Sequence, residues 1–280
     1  MELFTAKSYF ELIAFGFGTG VYGTLIGAGG GFVLMPLLVL LYPQQNPERL
    51  TSISLAVVFF NALSGSAAYA RMKRIDYRSG IIFALATIPG AILGAIHTSF
   101  ISRRLFDGLF VILLLAASTV LLFHPNLIER PGKESAPHQS ERHLVDAAGI
   151  RHDYSFNLAI GVVLSIVVGY ISSFLGIGGG IIHVPALVYL LHFPVHIATA
   201  TSHFVLAIMA LTGTVVHVAR GTFGHGVHQT IALSIGVVIG AQLGAYLSNR
   251  IKGTWIIRSL ALALGFMGIR ILMVLFQGRT

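Results

Sequence analysis

Cysteine is absent from this chain of 280 residues, which removes disulfide frameworks, thiolate nucleophiles and Cys-ligated zinc or iron–sulfur centres together. Charge is scarce: 10% of the residues are Asp, Glu, Lys or Arg, against about 25% in an ordinary soluble domain. The ten acidic residues, Glu2, Glu11, Glu48, Asp76, Asp107, Glu129, Glu134, Glu141, Asp146 and Asp153, fall in termini, loops or segment edges. That distribution argues against a carboxylate proton relay or a sodium site built from Asp. HExxH and GxSxG are missing too, so an intramembrane hydrolase lacks both its metal set and its nucleophile, and the chain reads as a non-enzyme without a cofactor.

What is present is apolar. With 55% hydrophobic residues and a mean hydropathy of +0.83, lipid must solvate much of the surface. The first apolar stretch follows Glu2 and Lys7 and contains Glu11; lacking a basic leader and a small-residue cleavage site, it reads as part of the mature fold. The net charge of +8 comes from cations placed between apolar runs, the pattern of topology-fixing loops and anionic-lipid contact rather than of nucleic-acid binding.

Apolar runs cover 10–28, 31–42, 51–70, 80–99 and 105–123, then 157–175, 178–191, 198–219, 227–247 and 255–276. Most reach the roughly 20 residues of a bilayer-spanning helix. The run 31–42 reaches only about 18 Å of a hydrocarbon core about 30 Å thick, and it and 178–191 are expected to be half-helices or strongly tilted. The fold class is therefore an all-α polytopic membrane protein. Its organisation is a first membrane repeat over 1–123, a polar linker over 124–156 and a second repeat over 157–280, one transport domain overall. The linker carries Pro125, Pro131 and Pro137 with five acidic residues, four Lys/Arg and four His, and is expected to be solvated and the least ordered part of the chain.

The repeat is explicit. Thr24-Leu25-Ile26-Gly27-Ala28-Gly29-Gly30-Gly31-Phe32-Val33-Leu34-Met35-Pro36 recurs 149 residues later as Ser173-Phe174-Leu175-Gly176-Ile177-Gly178-Gly179-Gly180-Ile181-Ile182-His183-Val184-Pro185. Thr51-Ser52 answers Thr201-Ser202, and Gly90-Ala91-Ile92-Leu93-Gly94-Ala95 answers Gly240-Ala241-Gln242-Leu243-Gly244-Ala245, both at an offset of 150. Five apolar segments per half is an odd number, so the second half enters the membrane from the opposite side: an inverted repeat with broken or re-entrant helices at the glycine motifs, whose elbows meet near the midplane. On one face lie Arg71, Lys73, Arg74, Arg78, Arg130, Lys133, Arg142, Arg151, Arg250 and Lys252; on the other Lys7, Arg49, Arg103, Arg104, Arg220 and Arg279. The bias favours a cytoplasmic central loop.

Irregular backbone at membrane depth survives only inside protein or along a cavity. The helices that start after the two motifs offer free N–H groups and a positive dipole end, and Gly29, Gly30, Gly31, Gly178, Gly179 and Gly180 let a compact oxyanion approach the backbone. The same glycines would also serve plain close packing of helices. Hydroxyls can hold an oxyanion without adding a buried charge, which selects Ser52, Thr201 and Ser202 beside the motifs, with Thr24 and Ser173 inside them; Asn61 and Gln242 are the amides within apolar runs. His183 and His203 could be cationic toward an anion, carry a proton, or sit neutral and internally bonded.

Together these residues resemble the TauE/SafE (sulfite exporter, TSUP) family of membrane permeases. The resemblance rests on Gly27 to Gly31 through Pro36, Gly176 to Gly180 through Pro185, the Thr-Ser pairs, Arg74-Ile75-Asp76 and the two Gly-Ala-x-x-Gly-Ala elements, and covers nearly all the chain outside 124–156. It implies a multi-pass bacterial inner-membrane transporter of sulfite, thiosulfate, sulfonates or related small anions. Alternating access with export is the mechanism expected, since membrane potential favours anion exit by about 2.3 kcal/mol per charge per 100 mV. The partners expected are the anionic substrate and the lipid bilayer, with no nucleic acid; a homodimer is compatible with the sequence. The alternative is a metal-ion permease built on His183, His192, His196 and His203.

Overall fold

A computed structural model of the chain describes residues 6–42, 44–123, 140–222 and 226–277. The helices are α1 (Ala6–Ile26), α2 (Gly31–Leu41), α3 (Pro47–Arg71), α4 (Tyr77–His97) and α5 (Arg103–Phe123), then α6 (Leu158–Leu175), α7 (Gly180–Tyr189), α8 (Val195–Ala219), α9 (Val227–Ser248) and α10 (Gly253–Gln277). Among the described residues eight of them are long and apolar enough to cross a membrane. The other two, α2 and α7, are 11 and 10 residues long and follow the glycine motifs as expected. The chain is thus an all-α polytopic membrane protein.

Packing couples one half of the sequence to the other. The most extensive contact is α1 on α9, matched by α4 on α6; α3 packs on α8 and α5 on α10, and α3 on α9 is matched by α4 on α8. The Gly-Ala-x-x-Gly-Ala elements make the outer pairs close. A Cβ at Gly236, Gly240 or Gly244 of α9 would strike the backbone of α1, and one at Gly90 or Gly94 of α4 the backbone of α6. Small residues spaced by four let membrane helices approach in this way, where lipid supplies no hydrophobic drive between them. The interior helix is α3, 72% of whose membrane-length window is buried.

Helix ends are fixed by specific side chains. Asp76 caps α4 by accepting the Ser79 N–H at 3.1 Å, and Asn157 caps α6 from Ala159 N–H at 2.9 Å. At the C-terminal end of α2 the Arg103 guanidinium donates to the carbonyls of Val39 (3.0 Å) and Gln45 (2.7 Å) while its Nε pairs with Asp107 at 2.9 Å. A cation at this end satisfies carbonyls that the helix itself leaves open.

The linker departs from expectation. Its segment 124–139 lies outside the described residues, but 140–156 is an ordered ribbon of β1 (Ser140–Val145) and β2 (Arg151–Phe156), antiparallel, with Ser140 opposite Phe156 and Val145 opposite Arg151. Asp146 closes the turn by accepting from the N–H groups of Ala148 (2.9 Å) and Ile150 (3.0 Å), and Gly149 takes the left-handed φ of 80°. The ribbon is docked rather than solvated. Arg74 pairs with Asp146 and Arg142 with Asp76, both at 3.4 Å, Ala147 N–H donates to Met72 O at 2.9 Å, and Tyr154 and Phe156 pack on Phe193 with ring centroids at 4.5 and 4.9 Å. The alternation of buried Tyr154 and Phe156 with exposed Arg151 and Asp153 is the sequence signal that a count of charges and prolines hides.

Burial opposes the charged form of Asp146, but backbone hydrogen bonds from Ile150 and Ala148 and the Arg74 guanidinium outweigh it and hold the carboxyl below the usual carboxylate range. Its contribution to stability is therefore complete above the unfolded value of about 3.9 and is lost as pH falls through the lower folded one. Asp146→Ala strands the guanidinium of Arg74, whose side chain is 10% exposed, and is expected to cost about 3–5 kcal/mol. Thermal unfolding of detergent-solubilised protein should show a gap between parent and variant at pH 7 that closes below about pH 4.

Candidate functional site at the paired glycine elbows

Each elbow is a left-handed interruption between a long helix and a short one. In the first, Gly27, Gly29 and Gly30 have φ of 81°, 71° and 75°; in the second, Gly176, Gly178 and Gly179 have 67°, 77° and 59°. An L side chain is strained in this region, which is why the motif is written in glycine. The N-caps of α2 and α7 are Gly30 and Gly179, and no side chain caps either helix. No side chain therefore meets the positive dipole ends of these helices, although at α7 the first N–H, that of Gly180, turns back onto Gly178 O at 2.6 Å.

The two elbows touch. A Cβ on Gly31 would collide with the carbonyl of Ile177, and one on Gly180 with the backbone of Ala28 and the carbonyl of Gly27. Positions 28 and 31 therefore meet 180 and 177, the same pair of contacts read from either half. Gly27 lies against Thr199 and Gly176 against Thr51, and Val58 of α3 backs both Gly29 and Gly178. The elbow carbonyls find donors on α3 and α8: Ser54 Oγ donates to Gly176 O at 2.6 Å, and Ser202 Oγ to Gly27 O at 3.4 Å.

Beside the first elbow lies a polar cluster. Thr24 Oγ1 donates to Asn61 Oδ1 at 3.1 Å, His203 Nε2 lies 3.3 Å from Thr24 Oγ1, and Tyr69 OH donates to Thr24 O at 2.7 Å. The Tyr69 and His203 rings meet edge to face at 5.9 Å. With the Thr24 proton given to Asn61, the tautomer of His203 that bonds Thr24 is the one protonated at Nε2. Asn61 Nδ2 and His203 Nδ1 are both fully buried and make no hydrogen bond within the described residues. The amide nitrogen of Asn61 sits 3.6 Å from where a Cβ of Gly30 would be, so an unused donor lies beside the N-terminus of α2.

At the second elbow, Gly179, Gly180, His183 and Ser202 line a cavity of about 10 Å³, the size of a single water, together with Thr87 and Met209. His183 Nε2 is 3.5 Å from Ser165 Oγ, and its ring meets Phe83 at 6.1 Å.

The other sequence candidates lie apart from this cluster. Ser52 Oγ donates to Arg49 O in its own helix. Thr201 Oγ1 accepts the N–H of Asp76 at 3.0 Å. Gln242 is held at the α3–α9 contact by Ser64, 2.7 Å to its carbonyl. The histidines of the metal reading do not converge: His183 faces Ser165, His203 faces Thr24, and His196 lies among Arg74, His152 and Asp146 at the ribbon. Among the described residues no three His, Cys, Asp or Glu side chains form a group that could hold a metal. Sequence reasoning missed Tyr69, Ser54, Thr87 and Ser165. Tyr69 had a signal, because Asn61, Gly65 and Tyr69 recur every four residues and share one face of α3.

Among the described residues, eight membrane-length helices and two short ones whose glycine elbows touch are the build of a multi-pass membrane transport protein. The likeness to known proteins narrows this. The chain belongs to the sulfite exporter TauE/SafE family, whose model matches residues 12–271. It is 31% identical over 274 residues to the probable membrane transporter protein YunE of Bacillus subtilis, covering 95% of this chain and 97% of that one. A probable membrane transporter protein of Methanocaldococcus jannaschii is 24% identical, with 94% of each chain covered, and one of Xylella fastidiosa 29% identical, with 82% and 81% covered. No solved structure matches the chain.

Because Gly31 and Gly180 abut backbone that cannot swing aside, Gly31→Ala and Gly180→Ala are each expected to lose about 1–3 kcal/mol of stability. Gly18→Ala, in α1 with nothing near its Cβ, is expected to hold or gain about 0.5–1 kcal/mol. Melting temperatures of the three variants in detergent check this ordering.

Proposed function

We propose that the chain is a permease for small sulfur-containing or organic anions of the sulfite, thiosulfate and sulfonate class, an exporter working by alternating access in the bacterial inner membrane. The observation that carries the reading is the unpaired Asn61 Nδ2 beside the uncapped N-terminus of α2, a buried donor set without a formal positive charge. Oxyanions suit such a set, since N–H dipoles and hydroxyls bind them with charge-assisted hydrogen bonds and avoid the cost of a buried Lys or Arg. The family's description as sulfite exporters supports the substrate class.

The proposed site is built on Gly29 to Gly31 and Gly178 to Gly180, with Asn61, His203, His183 and Ser202 around them; the N–H groups of Gly29 and Gly180 are held by Gly23 O and Gly178 O in this conformation and become donors only as the elbows separate. Thr201 holds the site from behind through Asp76, and Ser52 and Gln242 enter only as parts of α3 and α9. The segments 1–123 and 157–280 act as the two moving halves, inverted relative to one another by their odd segment counts and joined by 124–156. A cavity of about 10 Å³ is too small for a tetraatomic oxyanion, so this conformation is read as the closed one, and rocking of one half against the other separates the elbows. Export needs no coupling ion, because membrane potential drives an anion outward.

Purified protein is expected to be stabilised by about 2.7 kcal/mol when sulfite, thiosulfate or a small sulfonate is present at a hundred times its Kd. Asn61→Ala should weaken that binding by roughly 10- to 100-fold, the loss of one hydrogen bond to a charged group at about 1.5–3 kcal/mol. Thermal-shift titration with uptake of labelled anion into proteoliposomes checks both; equal affinity in the variant, or no response to any of the three anions, would remove the reading.

A further inference from the structure

The ribbon β1–β2 is tied to one end of the bundle more firmly than a connector requires. Asp76 is the junction. Its carboxylate accepts from Tyr154 OH at 2.8 Å and from the Ser79 hydroxyl, and pairs with Arg142 at 3.4 Å. Burial, and next the neighbouring Asp76 charge, push the Tyr154 phenol above its ordinary range, so it stays a donor. The backbone N–H of Asp76 donates to Thr201, and the next residue, Ser202, reaches the carbonyl of Gly27. Three successive contacts thus join the ribbon to the first elbow. A second line runs through rings: Tyr154 and Phe156 pack on Phe193, Phe156 on Phe83 at 6.0 Å, and Phe83 on His183 of α7.

The opposite end of α3 is built differently. The residue 150 positions beyond Ser79 is Gln229, which lines a small cavity with Tyr42, Gln45 and Arg49 and has Oε1 without a hydrogen-bond partner among the described residues. At the Ser79 end that place is filled by Arg142, whose Nε donates to Ser79 Oγ at 3.1 Å. Among the described residues the two ends related by the repeat therefore differ at this place: at the first a ribbon from the linker lies over Asp76 and Ser79, and at the second Gln229 borders a small cavity.

We propose that the ribbon 140–156 is a latch, closing the elbow cavity toward the Asp76 end while docked and opening it when it lifts. This rests on the permease reading for what passes, though not for the movement itself. The ties are of a reversible kind, since two ion pairs, the hydrogen bonds of Tyr154, Arg142 and Ala147, and the packing of Tyr154 and Phe156 on Phe193 and Phe83 can be broken and remade without unfolding a membrane helix.

The cysteine-free chain allows a direct test. Ala198→Cys puts a thiol in the fully buried cluster beneath Tyr154 and Phe156. Its labelling by a membrane-impermeant maleimide is expected to be at least tenfold faster when Arg142→Ala is added. It should be at least tenfold slower when the added pair is Met72→Cys with Ala147→Cys, bridged by a short thiol cross-linker; this second arm removes no ion pair. The bridged protein, without the Ala198 change, should lose thiosulfate flux in proteoliposomes and recover it with a cleavable bridge once that bridge is cut. Labelling unchanged by bridging, or full flux through fully bridged protein, overturns the latch. Labelling that responds as expected in a protein that moves none of the sulfur anions supports the latch and removes the permease reading.

Discussion

An amide group cannot be left unpaired in hydrocarbon, and the whole arrangement follows from where this chain breaks that rule. Each half interrupts a helix with four glycines, exposing backbone that lipid cannot satisfy at a cost of several kcal/mol per group. The structure answers by pressing the two interruptions against each other in the interior and supplying hydroxyls from α3 and α8 to the elbow carbonyls. Everything outside serves that meeting. The pairs α1–α9 and α4–α6 are drawn tight on glycine stripes, and each couples a helix of one half to a helix of the other, so neither elbow is enclosed by its own repeat alone.

Much of this was legible in the sequence because hydropathy and glycine act locally. Runs of about 20 apolar residues became the long helices, and the two short runs became α2 and α7, with boundaries displaced by only a few residues. The duplicated motif also contains Gly31 and Gly180, the glycines at which the two elbows touch. What could not be read was long-range. Ser52 and Ser202 hold equivalent places in the repeat, yet one bonds its own helix and the other the opposite elbow, a difference set by how α3 and α8 pack. Gln242 was marked as a polar group in an apolar run, and a serine on the facing helix satisfies it. The ribbon was missed because its pairing is short and its anchors, Arg74, Asp76 and Phe193, lie far away in the sequence.

The halves match in backbone and diverge in chemistry. Counting 150 residues back from His203 gives Ile53, and forward from Asn61 gives Leu211, so the residues that make the first elbow polar have apolar counterparts. Thr24 and Ser173 keep a hydroxyl in both copies, but only Thr24 is joined to an amide and an imidazole. A duplicated scaffold has thus kept its geometry twice and its hydrogen-bonding chemistry chiefly once.

Arg103 carries the same inequality into mechanics. Its guanidinium fastens the end of α2 to α5, whereas the residue 150 positions on is Gly253, which can make no such tie to α7. The segment just after α7 instead places Phe193 under the ribbon. The two half-helices are therefore anchored in different ways: α2 is bolted to α5 through Arg103, and α7 is joined to the ribbon through the rings of Phe193, Phe156 and Phe83 and the imidazole of His183.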